Sequence, residues 1–400
     1  MKVVLHCGMP KTGTSALQER LAAGRPALEA AGILYPLSPV ISHNANFLMQ
    51  GLVAAEDRPR YLVHSLKGRD GAALFDDWLA KIRARLARGG IDTLALSAEN
   101  LWEITSPDPA RRLRALLEDL GASRIEVVAY VRRPSDWYLS AAQQILRASH
   151  KVRRVRAIPY RAPIETMAAH VADPGAMRVF AFDRGAFPGG DILEHFRREA
   201  LPQVPPEALA EGRQEVNATL SAEGMALLQD YRRQVLPRSN NRFTPDTSRY
   251  RRAIEMAEEA VGGERRPHLY PGIADRLDHD SPDLGWLRQV HGVTFAGIDY
   301  DRVGSGDEGA EWELRPISVE EICPVDPERR TRLLNLAIRE LTETGGRKAG
   351  KRRRTKESPA AAGEGPGRDS GPGTEESGGA GNPADPSQED GRDDGPGPAS

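Results

Sequence analysis

The run Lys2-Val3-Val4-Leu5-His6-Cys7-Gly8-Met9-Pro10-Lys11-Thr12-Gly13-Thr14-Ser15 decides how the chain folds. Residues 2–7 are a short apolar strand. A Gly/Lys/Thr turn follows, and the spacing of Leu17 and Leu21 then predicts a helix from Thr14 to about Ala23. A strand, glycine-rich turn and helix in this order make an anion cradle: turn amides and the positive helix end face one point, and Lys and hydroxyl side chains complete the shell.

The spacing of Gly8 and Gly13 is that of a Walker A loop, GxxxxGK[ST], but Thr14 stands where that loop has its lysine. The lysine is at position 11 instead. This removes the arrangement that grips a magnesium-bound triphosphate and places a cation earlier in the turn, within reach of a bridging oxygen.

Beyond the turn, apolar runs alternate with amphipathic stretches, the pattern of a parallel sheet covered by helices. Strands are expected at 93–97, 125–131 and 177–182, with helices at 72–88, 109–120, 134–147 and 191–199. From 215 onward mostly helices are expected, including 221–235 and 327–341. Residues 36–69 and 240–320 carry no clear period, and acceptor-binding segments are expected among them.

The strand at 125–131 runs into Arg132-Arg133-Pro134-Ser135-Asp136-Trp137-Tyr138-Leu139-Ser140. An arginine leaving a strand end offers a forked, permanent charge, and a hydroxyl on the next helix can share its anion. Arg132 and Ser140 are therefore a second candidate phosphate grip.

Taken together, Pro10-Lys11-Thr12-Gly13-Thr14-Ser15 and Arg132, Pro134 and Ser140 resemble the two phosphate motifs of sulfotransferases that use 3'-phosphoadenosine 5'-phosphosulfate (PAPS). In support, 179–184 with Gly190-Asp191 to Phe196, and Asn217-Ala218-Thr219, resemble stretches of the bacterial members in the family's order. The chain departs from the family at Arg133, where Asp or Asn is common, and at Trp137, where a basic residue is common. The resemblance covers about residues 1–240. It implies a P-loop NTPase-like three-layer α/β fold with a central parallel sheet, a helical C-terminal part, PAPS as donor substrate and no metal. It also implies that Lys11, Thr12, Gly13, Thr14 and Ser15 hold the 5'-phosphosulfate, and that Arg132 and Ser140 hold the 3'-phosphate.

Lys11 is the expected catalytic cation. Glu99, just past the strand at 93–97, is the first choice for the base, because glycan sulfotransferases use Glu and the cytosolic enzymes place a His at the corresponding strand end. His43 is the second choice. His6 points from a buried strand and reads as structural. Ala16 replaces the tryptophan of the small-molecule enzymes, which points to the glycan-type and bacterial branch and to a carbohydrate-containing acceptor with a hydroxyl or, less favoured, an amine. Lys151, Arg153, Arg154, Arg156 and Arg161 are either solvated surface charge, the simpler reading, or a grip on an anionic saccharide. The rival readings are a P-loop nucleotide or small-molecule kinase and a non-catalytic nucleotide-binding scaffold.

Composition bounds the rest. With 55 basic and 57 acidic residues the net charge is −2, which gives no bias towards nucleic acid or an anionic membrane. Two cysteines, Cys7 and Cys323, imply no disulfide framework. No apolar run approaches the length of a membrane span, and the N-terminus leads straight into the first strand, which points to a cytoplasmic protein. Residues 342–400 contain no Val, Ile, Leu, Met, Phe, Tyr or Trp and cannot bury enough apolar surface to offset their ordering entropy. Two regions follow: a sulfotransferase-like domain at 1–341 and a disordered Gly/Pro/Ser/charged tail at 342–400.

Overall fold

The computed structural model describes residues 1–209, 219–263, 266–304 and 312–356. Its centre is a five-stranded parallel sheet of β1 (Lys2–His6), β2 (Ile33–Leu34), β3 (Thr93–Ser97), β4 (Arg124–Val131) and β6 (Met177–Ala181), in the order β2-β3-β1-β4-β6. The loop-bearing strand β1 thus lies in the middle, with His6 opposite Ser97 on one side and Val128 on the other. Successive side chains alternate faces, so one face takes Val3, Leu5 and Cys7 and the other takes Val4 and His6.

Helices cover both faces. Val4 and Val128 pack with residues of α1 (Thr14–Ala23), α2 (Arg25–Ala30) and α9 (Ile192–Ala200). Val3 and Leu5 pack with residues of α3 (Met49–Leu52), α4 (Arg60–Leu66), α5 (Gly71–Ala87), α6 (Pro107–Asp119) and α8 (Arg161–His170). A third core joins α7 (Pro134–Leu146) to α10 (Ala222–Val235), α11 (Pro245–Val261), α12 (Pro271–His279), α13 (Asp283–His291) and α14 (Pro327–Lys356). A two-residue antiparallel pair, β5 (Val155–Arg156) with β7 (Glu313–Leu314), lies apart from the main sheet.

Local chemistry explains the boundaries. Asp70 caps α5 by accepting from the amides of Ala72 and Ala73, and Ser221 caps α10 by accepting from Gly224. Pro134 opens α7, where its missing N–H costs nothing.

Three differences from the sequence expectation stand out. Residues 36–69 hold the short helices α3 and α4, and the weakly patterned 240–320 region holds α11 to α13. The final helix continues to Lys356, past the expected boundary at 341; once nucleated by its buried start, a helix adds further residues at little cost. The expected tail from 357 onward lies outside the described residues. Among those described, no helix is long and apolar enough to cross a membrane.

Candidate functional site

The loop leaves the sheet at its carboxyl end, where β1 is flanked by β3 and β4 and the chain direction switches sides, the position at which open α/β sheets bind ligands. Ladder bonding continues past β1: Cys7 N–H donates to Val128 O at 3.0 Å and Met9 N–H to Tyr130 O at 2.9 Å. The backbone then turns through two left-handed residues, Lys11 (φ 71°) and Gly13 (φ 77°). A lysine in that region is unfavourable by itself, so the surroundings must hold it there.

They do so through the carbonyls. Met9 O accepts from Thr12 Oγ1 at 2.6 Å, Pro10 O from Trp137 Nε1 at 2.9 Å, and Lys11 O from Arg132 Nη1 at 2.9 Å. In a trans peptide the next N–H points opposite to the carbonyl. The amides of Lys11 and Thr12 therefore face away from Trp137 and Arg132. Gly13, the residue before α1, has no side chain to cap the helix, so the first helical amides keep no side-chain acceptor. The loop amides thus lie next to the positive end of a ten-residue helix.

Among the expected anion ligands, Thr12 and Thr14 are buried, Lys11 is half-buried and Ser15 is exposed. The Thr12 hydroxyl is committed to Met9 O, so Thr12 is left to serve an anion through its amide. Arg132 reaches the loop from behind, and its guanidinium stands 5.7 Å from the centre of the Phe182 ring. Burial lowers its pKa most, Asp136 opposes this, and the nearby Arg266 and Arg184 lower it further. Arg266 pairs with Asp136 at 3.1 Å.

Ser140 is placed less favourably for the expected grip. It lies half-buried on α7, about 9 Å along the helix axis from Pro134, and makes no hydrogen bond to Arg132 or to the loop. The unusual Arg133 has a role of its own. It binds Asp278 of α12 through Nε at 2.9 Å and reaches the carbonyls of Ala296 and Gly297, while Asp278 also takes the amide and hydroxyl of Ser135. The turn carrying Arg132 is therefore anchored to the C-terminal helices.

The segments that carry the two candidate bases both lie at the end of β3. Glu99, half-buried, opens a short 3-10 turn after that strand. The 43–46 loop is laid against the same end: Ala45 N–H donates to Ser97 O at 2.7 Å, and Asn100 N–H to Asn46 Oδ1 at 3.2 Å. His43 is half-buried, its carbonyl accepts from the Tyr35 hydroxyl at 2.7 Å, and burial lowers its pKa with Glu19 of α1 pulling it back up.

The 179–196 stretch closes the loop from the α9 side. A side chain at Gly13 would stand 3.0 Å from the Phe182 ring and 3.6 Å from Ile192. Asp191 caps α9 at Leu193 and takes Arg20 of α1 at 2.5 Å. The Asn217-Ala218-Thr219 stretch falls largely outside the described residues. In the basic loop, Arg154 pairs with Glu313 and Arg161 with Glu165, while Arg153 lies 4.8 Å over Trp137; these partners fit surface and structural charge.

Sequence reasoning missed Trp137, Phe182 and Asp278 as supports of the loop. Trp137 carried a signal by standing where the resembled motif has a basic residue, and Phe182 lies within the resembled 179–184 stretch, while Asp278 carried none. Comparison with family models, curated proteins and solved structures finds no match to this chain.

Proposed function

We propose that this chain is a PAPS-dependent sulfotransferase with a P-loop-like α/β core, acting on a hydroxyl of a carbohydrate-containing acceptor. One observation carries the reading: the Lys11/Gly13 turn is tied back by Trp137 and Arg132, so Arg132 of the second motif lies against the loop of the first. Further support comes from the strand order, with the loop strand between β3 and β4, and from the Arg132 guanidinium held at the loop. A kinase reading lacks the Walker lysine at position 14.

In the proposed reaction the acceptor oxygen forms a bond to sulfur as the bond from sulfur to the bridging oxygen breaks. 3'-Phosphoadenosine 5'-phosphate leaves. Lys11 stabilises the charge that grows on that oxygen, and loop amides hold the 5'-phosphate. The acceptor proton passes to Glu99 or, as second choice, to His43, whose lowered pKa keeps it neutral and able to take a proton at neutral pH.

The test is calorimetric titration with 3'-phosphoadenosine 5'-phosphate without magnesium, beside Lys11→Ala, Arg132→Ala and an ATP–Mg control, followed by sulfuryl transfer from PAPS to a panel of saccharides. Binding that Arg132→Ala weakens and ATP–Mg does not match, with a rate loss of about 100- to 1000-fold for Lys11→Ala, is expected. Tighter binding of ATP–Mg would reassign the site to a kinase. Nucleotide binding with no transfer to any acceptor would favour the scaffold reading.

A further inference from the structure

Beneath the loop lies a buried polar trio that the proposed chemistry leaves unused. His6, Ser97 and Gln18 are 0%, 1% and 2% exposed. Ser97 Oγ stands 2.8 Å from His6 Nδ1 and receives Gln18 Nε2–H at 3.0 Å. The other ring nitrogen, Nε2, is buried and has no hydrogen-bond partner among the described residues. An orphaned polar atom at such depth is costly and calls for a reason.

Its surroundings supply one. The point where a Cβ on Gly8 would stand is 2.9 Å from His6 Nε2, 3.0 Å from Thr12 Oγ1 and 3.3 Å from Thr14 Oγ1. Strand and loop thus bring three polar atoms around one spot under the first turn of α1. The rings of Tyr130 and Phe196 meet the imidazole edge-on at 5.7 and 5.5 Å and confine its orientation. Burial lowers the ring's pKa to about 3, so it is neutral at physiological pH and one nitrogen alone carries hydrogen. Of the two hydroxyls, that of Thr12 is committed to Met9 O, while Thr14 has only a 3.4 Å contact to Thr12 Oγ1.

Building on the anion-loop reading above, we propose that His6 is a positioning residue of the anion site. Its Nδ1 accepts from the Ser97 hydroxyl, and in the occupied loop its Nε2–H donates to the Thr14 hydroxyl oxygen. That turns the Thr14 hydrogen towards the phosphate. The opposite tautomer would aim a lone pair at the anion site and give it no donor.

Two measurements on the full chain test this. In nitrogen NMR of histidine-labelled protein without ligand, the signal removed by His6→Gln is expected to report a neutral ring protonated at Nε2 from pH 5 to 8; protonation at Nδ1 overturns the proposal. In calorimetry with 3'-phosphoadenosine 5'-phosphate, His6→Leu is expected to weaken binding about 5- to 10-fold, the worth of one buried neutral hydrogen bond. His6→Gln, whose amide N–H reaches the Nε2 position, should recover most of that loss, and His6→Leu with Thr14→Val should bind no more weakly than Thr14→Val alone. Additive losses, or a glutamine variant as weak as the leucine one, would make His6 a packing residue and overturn the proposal. Failure of the unaltered chain to bind this nucleotide would sink the donor reading instead, and the tautomer would still decide the direction of the His6 bond.

Discussion

Replacing Trp137 by Phe removes one hydrogen-bond donor and keeps most of the ring. The indole is 7% exposed, and its Nε1–H meets the carbonyl of Pro10, itself buried, at 2.9 Å. Water cannot easily replace that donor, so the orphaned carbonyl costs about 1–3 kcal/mol. The peptide that bears it is also the one that sets the direction of the Lys11 amide in the proposed anion site. The loop can relieve the cost by rotating this peptide, since Lys11 already sits in an unfavourable backbone region at φ 71°. If the whole penalty falls on the binding-competent loop, affinity drops by about 5- to 100-fold, at about 1.4 kcal/mol per factor of ten. The phenyl ring still offers a face to the Arg153 guanidinium, now 4.8 Å above the indole, so that contact should largely survive. Calorimetry with 3'-phosphoadenosine 5'-phosphate reads the loss, and urea unfolding reads any change in the fold. A variant with unchanged stability and an affinity within about twofold would refute the claim that tied-back carbonyls organise the loop.

Other perturbations have equally definite outcomes. Gly13→Ala puts a Cβ on a residue at φ 77° and 3.0 Å from the Phe182 ring, so nucleotide binding should fall about 5- to 30-fold, from about 1–2 kcal/mol of backbone strain, while circular dichroism stays unchanged. Asp278→Ala removes the 1%-exposed carboxylate that holds Arg133 and Ser135; with Arg133 about one-third exposed, a loss of about 2–3 kcal/mol in urea unfolding is expected, below the range for a fully buried pair. For His6 the folded pKa of about 3 lies below the unfolded value of 6.5, so the unfolded state binds the extra proton and stability falls as pH drops from 6.5 towards 3. Between pH 6.5 and 5, with the unfolded ring already half protonated at the upper end, that is about 1–2 kcal/mol, and unfolding of His6→Gln at the two pH values should show a loss smaller by that amount. An equal pH response in both proteins would place the buried proton site elsewhere.

The long elements were legible because each carries its own period. The run Thr93-Leu94-Ala95-Leu96-Ser97, apolar at its centre and buried throughout, forms β3, and Pro134 marks the start of α7 where a helix tolerates it. Residues 36–69 were not legible. Their backbone is held by side chains from distant helices, with Trp78 Nε1 donating to Leu37 O at 2.8 Å and Arg112 Nη1 to Leu52 O at 2.9 Å. The α11 helix was hidden for a related reason: much of its buried stripe is small or polar, with Thr247, Ala253 and Ala257 beside Tyr250 and Ile254, so its period is faint.

The site divides in the same way. By itself the sequence determined the strand, turn and helix at 2–23 and the placing of a cation at 11 in the turn, because glycine spacing and side-chain charge are local properties. Tertiary structure alone decided that Arg132 and Trp137 grip the loop from behind, and that Arg133 serves Asp278 across 145 residues of chain. It also decided that His6, one more polar residue in a buried strand when read along the chain, lies under the loop with a nitrogen to offer. Such partners are chosen by strand order and helix packing, which bring together residues whose separation in sequence carries no trace of the contact.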